Sequence, residues 1–191
     1  MRFLDRVLQR WRIAKTRPFI APRARVLDIG SSDGALFQAL GSRLGGGLGI
    51  DPTLKTSSRF GSVPLIAGFF PDDMPSVEPF DVITMLAVLE HFPAAQYGAL
   101  RVGCNKFLKP GGLLIITVPS PTVDQILKVL KALRLIDGMS LEEHHGYQVR
   151  QTASIFSPPE FQLVRQARFQ LGLNNLFVFQ REGAAADVSR R

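Results

Sequence analysis

The sequence has a single cysteine, Cys104, in 191 residues. One thiol excludes an internal disulfide and any zinc cluster built from thiolates, and it fits a reducing compartment. Long apolar runs are missing too. The longest stretches, such as Leu113–Val118, fall far short of the about 20 residues that span a bilayer. The N-terminus carries charges throughout and lacks the apolar centre of a secretory signal. These absences lead to the expectation of a soluble, cytoplasmic protein.

Acidic residues are scarce in one place only. Residues 1–25 hold eight arginines and lysines against Asp5 alone, which accounts for the whole formal charge of +7. Beyond residue 25 the charges cancel, so composition does not support a basic groove running over the body of the protein. With 46% hydrophobic residues the chain has enough apolar material for a sizeable core. The length suits one domain spanning 1–191, with a basic N-terminal segment over 1–22 and a polar tail over 183–191.

Within residues 2–12, Leu4, Val7, Leu8 and Trp11 recur at helical spacing with arginines mostly between them. An amphipathic basic helix is expected there, ended by Arg17-Pro18 and Ala21-Pro22. The pattern then alternates. Strands are expected at Arg25–Ile29, Gly47–Ile50, Val63–Ala67, Phe80–Leu86 and Leu113–Val118. Helices are expected at Gly34–Leu44 and Ala94–Leu108, with Lys109-Pro110-Gly111-Gly112 as a sharp turn. Such alternation implies βαβ units and a parallel sheet covered on both faces. Further on, Val123–Ile136 has a helical stripe, and Asp137–Phe156 reads as irregular. Ser157-Pro158-Pro159-Glu160 has the form of a capped helix start, and Asn174-Asn175 sits between two apolar runs as the turn of a hairpin.

The chemistry is concentrated where Val26-Leu27-Asp28-Ile29 runs into Gly30-Ser31-Ser32-Asp33-Gly34. Glycines at the C-terminal edge of a parallel sheet let backbone approach a ligand. Gly49-Ile50-Asp51-Pro52 then puts a carboxylate at the end of the second strand, where it can accept hydrogen bonds from ribose hydroxyls. The dinucleotide fingerprint is absent, since Ser32 stands where an intermediate glycine would sit and Asp33 would repel a pyrophosphate. A nucleoside without phosphates, carrying an ammonium and a sulfonium, fits better. Asp28 suits loop amides or a water-mediated contact with that ammonium.

These residues resemble the first two motifs of class I S-adenosylmethionine-dependent methyltransferases. The resemblance continues through Phe80-Asp81-Val82-Ile83 to Leu89-Glu90-His91, and through Leu108-Lys109-Pro110-Gly111-Gly112, blocks found in the small-molecule branch of that class. It implies a Rossmann-like α/β fold: a doubly wound, mostly parallel seven-stranded sheet with an antiparallel C-terminal hairpin strand. It also implies the cofactor S-adenosyl-L-methionine. Gly30, Ser31 and Gly34 would line its methionine end, Asp51 would bind the ribose, and Pro52 would pack on the adenine. Phe69 and Phe70 would flank the adenine, with Met85 and Leu86 under the sulfonium. Many relatives have an acid where Phe69 stands, so here the adenine amino group is left to backbone, Asp72 or Asp73.

Methyl transfer needs in-line alignment and, for a hydroxyl acceptor, removal of a proton. His91 is the first candidate base and His145 the second, with Glu90 beside the site. A metal is not expected: RNA-end methyltransferases with a Glu-x-x-Glu-His block bind a cation, but Ala87 stands in place of the first glutamate. Cys104 reads as a small buried apolar residue. Residues 120–156 are expected to cover the site as a lid. The expected reaction is O-methylation of a small-molecule or lipid-linked acceptor. The alternatives are an RNA or protein methyltransferase using the basic arm, and a non-catalytic binding module. The N-terminal helix has three readings: a cap over the cofactor site, peripheral contact of residues 2–12 with anionic lipid, and contact with nucleic acid, which is the least favoured because one short helix supplies few phosphate contacts.

Overall fold

Short apolar runs broken by glycine and polar residues become strands, and the longer amphipathic runs become helices. The computed structural model describes residues 3–120 and 147–183. In chain order the elements are α1 (Phe3–Thr16), β1 (Arg25–Ile29), α2 (Ala35–Leu40), β2 (Gly46–Asp51), β3 (Ser58–Phe60) and β4 (Val63–Ala67). They continue with β5 (Phe80–Leu86), α3 (Tyr97–Phe107), β6 (Leu108–Pro119), α4 (Gln151–Ile155), β7 (Phe161–Phe169) and β8 (Asn174–Arg181).

The eight strands form one sheet in the order β3-β4-β2-β1-β5-β6-β8-β7. From β4 to β6 every pairing is parallel, and β3, β8 and β7 join antiparallel. This is the expected Rossmann-like architecture with one strand more than anticipated. The extra strand is β3, folded back on β4 through Gly61 at φ +59°.

Alternation along the central strands sorts the core onto two faces. Leu27, Ile29, Ile83, Met85, Leu114 and Ile116 pack with Leu100, Cys104 and Phe107 of α3. Val26, Val82 and Ile115 pack on the other face with Ile13 of α1 and Leu36, Phe37 and Leu40 of α2. Cys104 is fully buried, as expected, and burial pushes its thiol pKa up.

Three local expectations need correction. Ser157–Glu160 does not start a helix. Phe156 and Phe161 are both fully buried and meet edge to face at 5.5 Å. The residues between them therefore make a turn, with Phe161 N–H donating to Ser157 O at 3.3 Å. The helix of this region is α4, inside the stretch that reads as irregular. The hairpin turn is Gln170–Leu173, with Gln170, Leu171 and Gly172 at φ 51°, 56° and 84°. Asn174 and Asn175 open β8 instead, because tertiary partners satisfy their amides: Asn174 donates to Gln170 Oε1, and Asn175 to Ser120 Oγ at 2.9 Å. Lys109–Gly112 loops out within β6, between the pairs Phe80↔Leu108 and Val82↔Leu113. The expected amphipathic helix is present as α1, with Val7 and Trp11 of its apolar stripe turned outward. Ile13 and Thr16 are buried, whereas Val7 and Trp11 are 39% and 41% exposed. The expected helix over Val123–Ile136 lies outside the described residues.

Phe156 joins α4 to the hairpin, with Phe179 at 5.6 Å on its other side. Phe156→Ala is expected to lower stability by about 3–5 kcal/mol, and Phe156→Leu by much less, as measured by urea unfolding.

Candidate functional site

The parallel strands β1, β2 and β5 end together, and their C-terminal edge carries the turn Gly30–Gly34. Gly30 takes φ +77°, and a Cβ there would lie 2.3 Å from Val88 Cγ2. Close packing against the segment after β5 therefore requires this glycine. Gly34 takes φ +74° beside Phe60 of β3, and its N–H closes the turn on Ser31 O at 2.8 Å. Gly30 N–H donates to Ile50 O at 2.8 Å, which ties the turn to β2.

Asp51 holds the same turn through its side chain. Its Oδ2 accepts from Ser32 N–H at 2.8 Å, and its Oδ1 accepts from Thr53 N–H at 2.7 Å and Thr53 Oγ1 at 2.6 Å. An ionised carboxylate offers about four lone-pair positions. Three are occupied here, so a vicinal diol could reach one directly and a second only if the Thr53 hydroxyl turned away. The loop amide is thus held by Asp51 and not by Asp28.

Asp28 lies on the α1 face of β1, opposite Thr84 of β5, whose hydroxyl donates to Asp28 Oδ1 at 2.6 Å. Burial pushes its carboxyl up to about 7, the charges of Asp51 and Asp33 add to this, and the Thr84 hydrogen bond opposes it. Asp28, Gly30, Ser31 and Leu86 line a cavity of about 40 Å³ closed by Gln9, Arg12 and Ile13 of α1. Ser31 Oγ is buried there with no hydrogen-bond partner among the described residues. Gln9 Nε2 donates to Asp33 Oδ1 at 3.4 Å, and Gln170 Nε2 to Leu8 O at 3.1 Å, so the helix is tied down at both the turn and the hairpin.

The remaining expected cofactor residues lie apart from that cavity. Met85 is fully buried in the core on the α3 side. Phe70 is 5% exposed and packs on Phe107 at 6.0 Å. Phe69 is 65% exposed, Pro52 is exposed, and Phe69, Phe70, Asp72 and Phe92 line a second cleft of about 340 Å³. Asp73 lines the same cleft and accepts from Phe69 N–H at 2.7 Å through Oδ2, so two carboxylates, Asp72 and Asp73, face it.

Beyond β5, Ala87 adopts φ +60° and turns the chain into Leu89–His91. Glu90 is 3% exposed and His91 is exposed, so the two neighbours diverge. His145 lies outside the described residues. Tyr147 lies within reach of the charge of Glu90, and its hydroxyl hydrogen-bonds Thr152 Oγ1. Burial raises its phenol pKa, and the charges of Glu90 and Tyr97 raise it further. Tyr97 and Tyr147 are the only two tyrosines of the chain. That scarcity was the signal available for them, but their 50-residue separation hides the convergence.

A doubly wound sheet with a glycine turn at its carboxyl edge and an acid ending the second strand is the nucleoside-binding edge of a Rossmann-like fold, and the family match makes it that of an S-adenosylmethionine-dependent methyltransferase. The chain belongs to the methyltransferase-domain family, which matches residues 2–166. Among solved structures, it is similar to the N-methyltransferase NodS from Bradyrhizobium japonicum WM9 (TM-score 0.68, 16% identity, covering 94% of this chain and 99% of that one). It is also similar to magnesium protoporphyrin IX methyltransferase (ChlM) from Synechocystis PCC 6803 with bound SAH (TM-score 0.62, 14% identity, covering 93% and 82%). Among curated proteins the sequence has no match. No helix among the described residues is long and apolar enough to cross a membrane.

Asp28 generates a prediction about pH. Its carboxyl titrates near 3.8 in the unfolded chain and at about 7 in the fold. Between those values the unfolded state binds fewer protons, so stability falls as pH rises. The loss is complete above the folded value and is at most on the order of 4 kcal/mol. Asp28→Asn is expected to abolish this slope, gaining on the wild type from pH 4 to pH 8 in urea titrations.

Proposed function

We propose that the protein transfers a methyl group to an oxygen of a small-molecule or lipid-linked acceptor. The observation that carries the reading is the Asp28–Ser31 cavity at the carboxyl edge of the sheet, with the buried Glu90 following β5 at the same edge. The cavity suits the amino-acid end of a cofactor: a buried hydroxyl without a protein partner, beside a carboxyl, is what an ammonium and its carboxylate need. Asp51 suits the ribose through its remaining lone pair. The exposed Phe69 and the carboxylate of Asp72 suit the adenine.

S-adenosylmethionine, when bound, supplies an electrophilic methyl on sulfur. The chain's part is to orient, to exclude water and to handle a proton. Tyr147, kept protonated by burial and by the charge of Glu90, donates to Thr152 Oγ1, because the Thr152 hydroxyl donates to Val149 O. Its phenol oxygen is left to accept, so it can orient a hydroxyl-bearing acceptor. His91, exposed and next to Glu90 in sequence, is the proposed base for a hydroxyl; a carboxylate acceptor needs none. Helix α1 closes the methionine end, and a cavity of about 40 Å³ is far below the few hundred Å³ of a nucleoside-sized site. Cofactor entry therefore requires α1 to move outward.

Calorimetric titration with S-adenosylhomocysteine tests the reading. Wild type is expected to bind in the micromolar range with NAD silent, and Asp51→Ala to bind about a hundredfold more weakly, the loss of charge-assisted hydrogen bonds. Thr53→Ala, which frees a lone pair on Asp51, is expected to bind at least as tightly as wild type. A folded wild type that binds neither S-adenosylmethionine nor its product would refute the assignment.

A further inference from the structure

An amphipathic helix normally turns its apolar stripe to the core, and α1 does the reverse. Gln9, Arg12 and Ile13 cover the glycine turn, with Ile13 and Thr16 buried. On the opposite side, Val7 and Trp11, one turn apart, are 39% and 41% exposed. The bond from Gln170 to Leu8 O brings the β7–β8 tip against the helix, and at that tip Leu171 is 96% exposed. Exposed apolar side chains gathered in this way mark an interaction surface.

The flank of the same helix is basic. Arg6 and Arg10 of α1, with Arg17 in the turn just beyond its end, line a groove of about 530 Å³ against Gln38 of α2. Among the described residues none of the three arginines is in an ion pair. Asp33, the one acid among the described residues of the groove, accepts from Gln9 and from Ala35 N–H at 3.2 Å through a single oxygen, and its one charge leaves the three arginines in excess. The groove is therefore open to an external anion.

We propose that α1 and the β7–β8 tip form a membrane-docking surface. Val7, Trp11 and Leu171 enter the interfacial layer of a bilayer, and Arg6, Arg10 and Arg17 take anionic lipid phosphates in the groove. Charge complementarity selects this occupant: the first 25 residues carry the entire net charge of +7, and apolar side chains beside a cationic groove match a headgroup–acyl boundary. A nucleic acid would match the arginines and leave Val7 and Leu171 unburied. Docking here would also set the cofactor cap, α1, against the bilayer. The proposal does not rest on methyl transfer, because its readout needs neither cofactor nor acceptor.

Trp11 is the only tryptophan, so its emission reports on this surface alone. The full chain is mixed with phosphatidylcholine vesicles, with or without an equal part of phosphatidylglycerol, and followed by emission and co-sedimentation. Blue-shifted emission and sedimentation are expected with the anionic vesicles only, weakening steeply with added salt. Each arginine contributes roughly fivefold at an anionic surface, so the triple variant Arg6→Gln, Arg10→Gln, Arg17→Gln should partition about a hundredfold more weakly. Val7→Ser with Leu171→Ser, which keeps the probe, should lose roughly tenfold. Unchanged emission on anionic vesicles, equal binding to neutral ones, or RNA binding in place of vesicle binding would each overturn the proposal. If the triple variant does not fold, the salt dependence of the wild type decides the same question.

Discussion

The turn over residues 30–34 is pinned from both sides, and the rest of the site depends on that clamp. Val88 leaves no room for a side chain at Gly30, and Ser31 Oγ stands 2.5 Å from where a Cβ on Gly49 would be. On the β2 side, Asp51 accepts the Ser32 amide while Ile50 O accepts that of Gly30. Three strands thus converge on a backbone segment that cannot move without dislodging all of them. Positive φ at Gly30, Ser32 and Gly34 is the conformational consequence, and α2 begins where the clamp ends. A rigid turn of this kind presents backbone amides at a fixed place, which is what recognition of a polar ligand requires.

Around that clamp the structure separates two kinds of polar group. Asp28, Thr84 and Thr117 are buried on the α1 face of the sheet, where low dielectric works against charge. Tyr97 and Tyr147 pack at the boundary of the α3-side core, and the charge of Glu90, buried after β5, reaches the Tyr147 phenol. Asp28 is therefore poised near neutrality in its titration, and Tyr147 stays protonated. The two groups differ in role for reasons of burial and charge neighbours, not of residue type.

The parts legible in the sequence are those governed by local pattern. Alternation and glycine spacing located β1, β2, β4 and β5 within a residue or so, and Gly30, Gly34 and Asp51 announced the site because such turns depend on neighbours in the chain. What escaped was set by distant partners. Asn174 and Asn175 look like turn residues until Gln170 and Ser120 are placed beside them. Ser157-Pro158-Pro159-Glu160 has every local mark of a helix start, yet two phenylalanines five residues apart both needed the core. Tyr147 carries no motif, and its coupling to Glu90 and Tyr97 arises only when α4 packs against α3. The apolar stripe of α1 was visible, but not the direction in which it faces, since a helical period fixes a face and leaves open what that face meets.

From its sequence alone this protein was determined to be a doubly wound α/β domain with a nucleoside-type turn and a basic amphipathic helix. Period, turn chemistry and charge count are local quantities, and one chain contains all of them. Tertiary structure alone decided that Asp51 braces the turn, that Asp28 is forced toward neutrality, that α1 covers the Gly30–Ser31 turn, and that Trp11 faces outward. Each of these is settled by which surfaces exclude water from one another, and that becomes defined only when segments far apart in the chain are packed together.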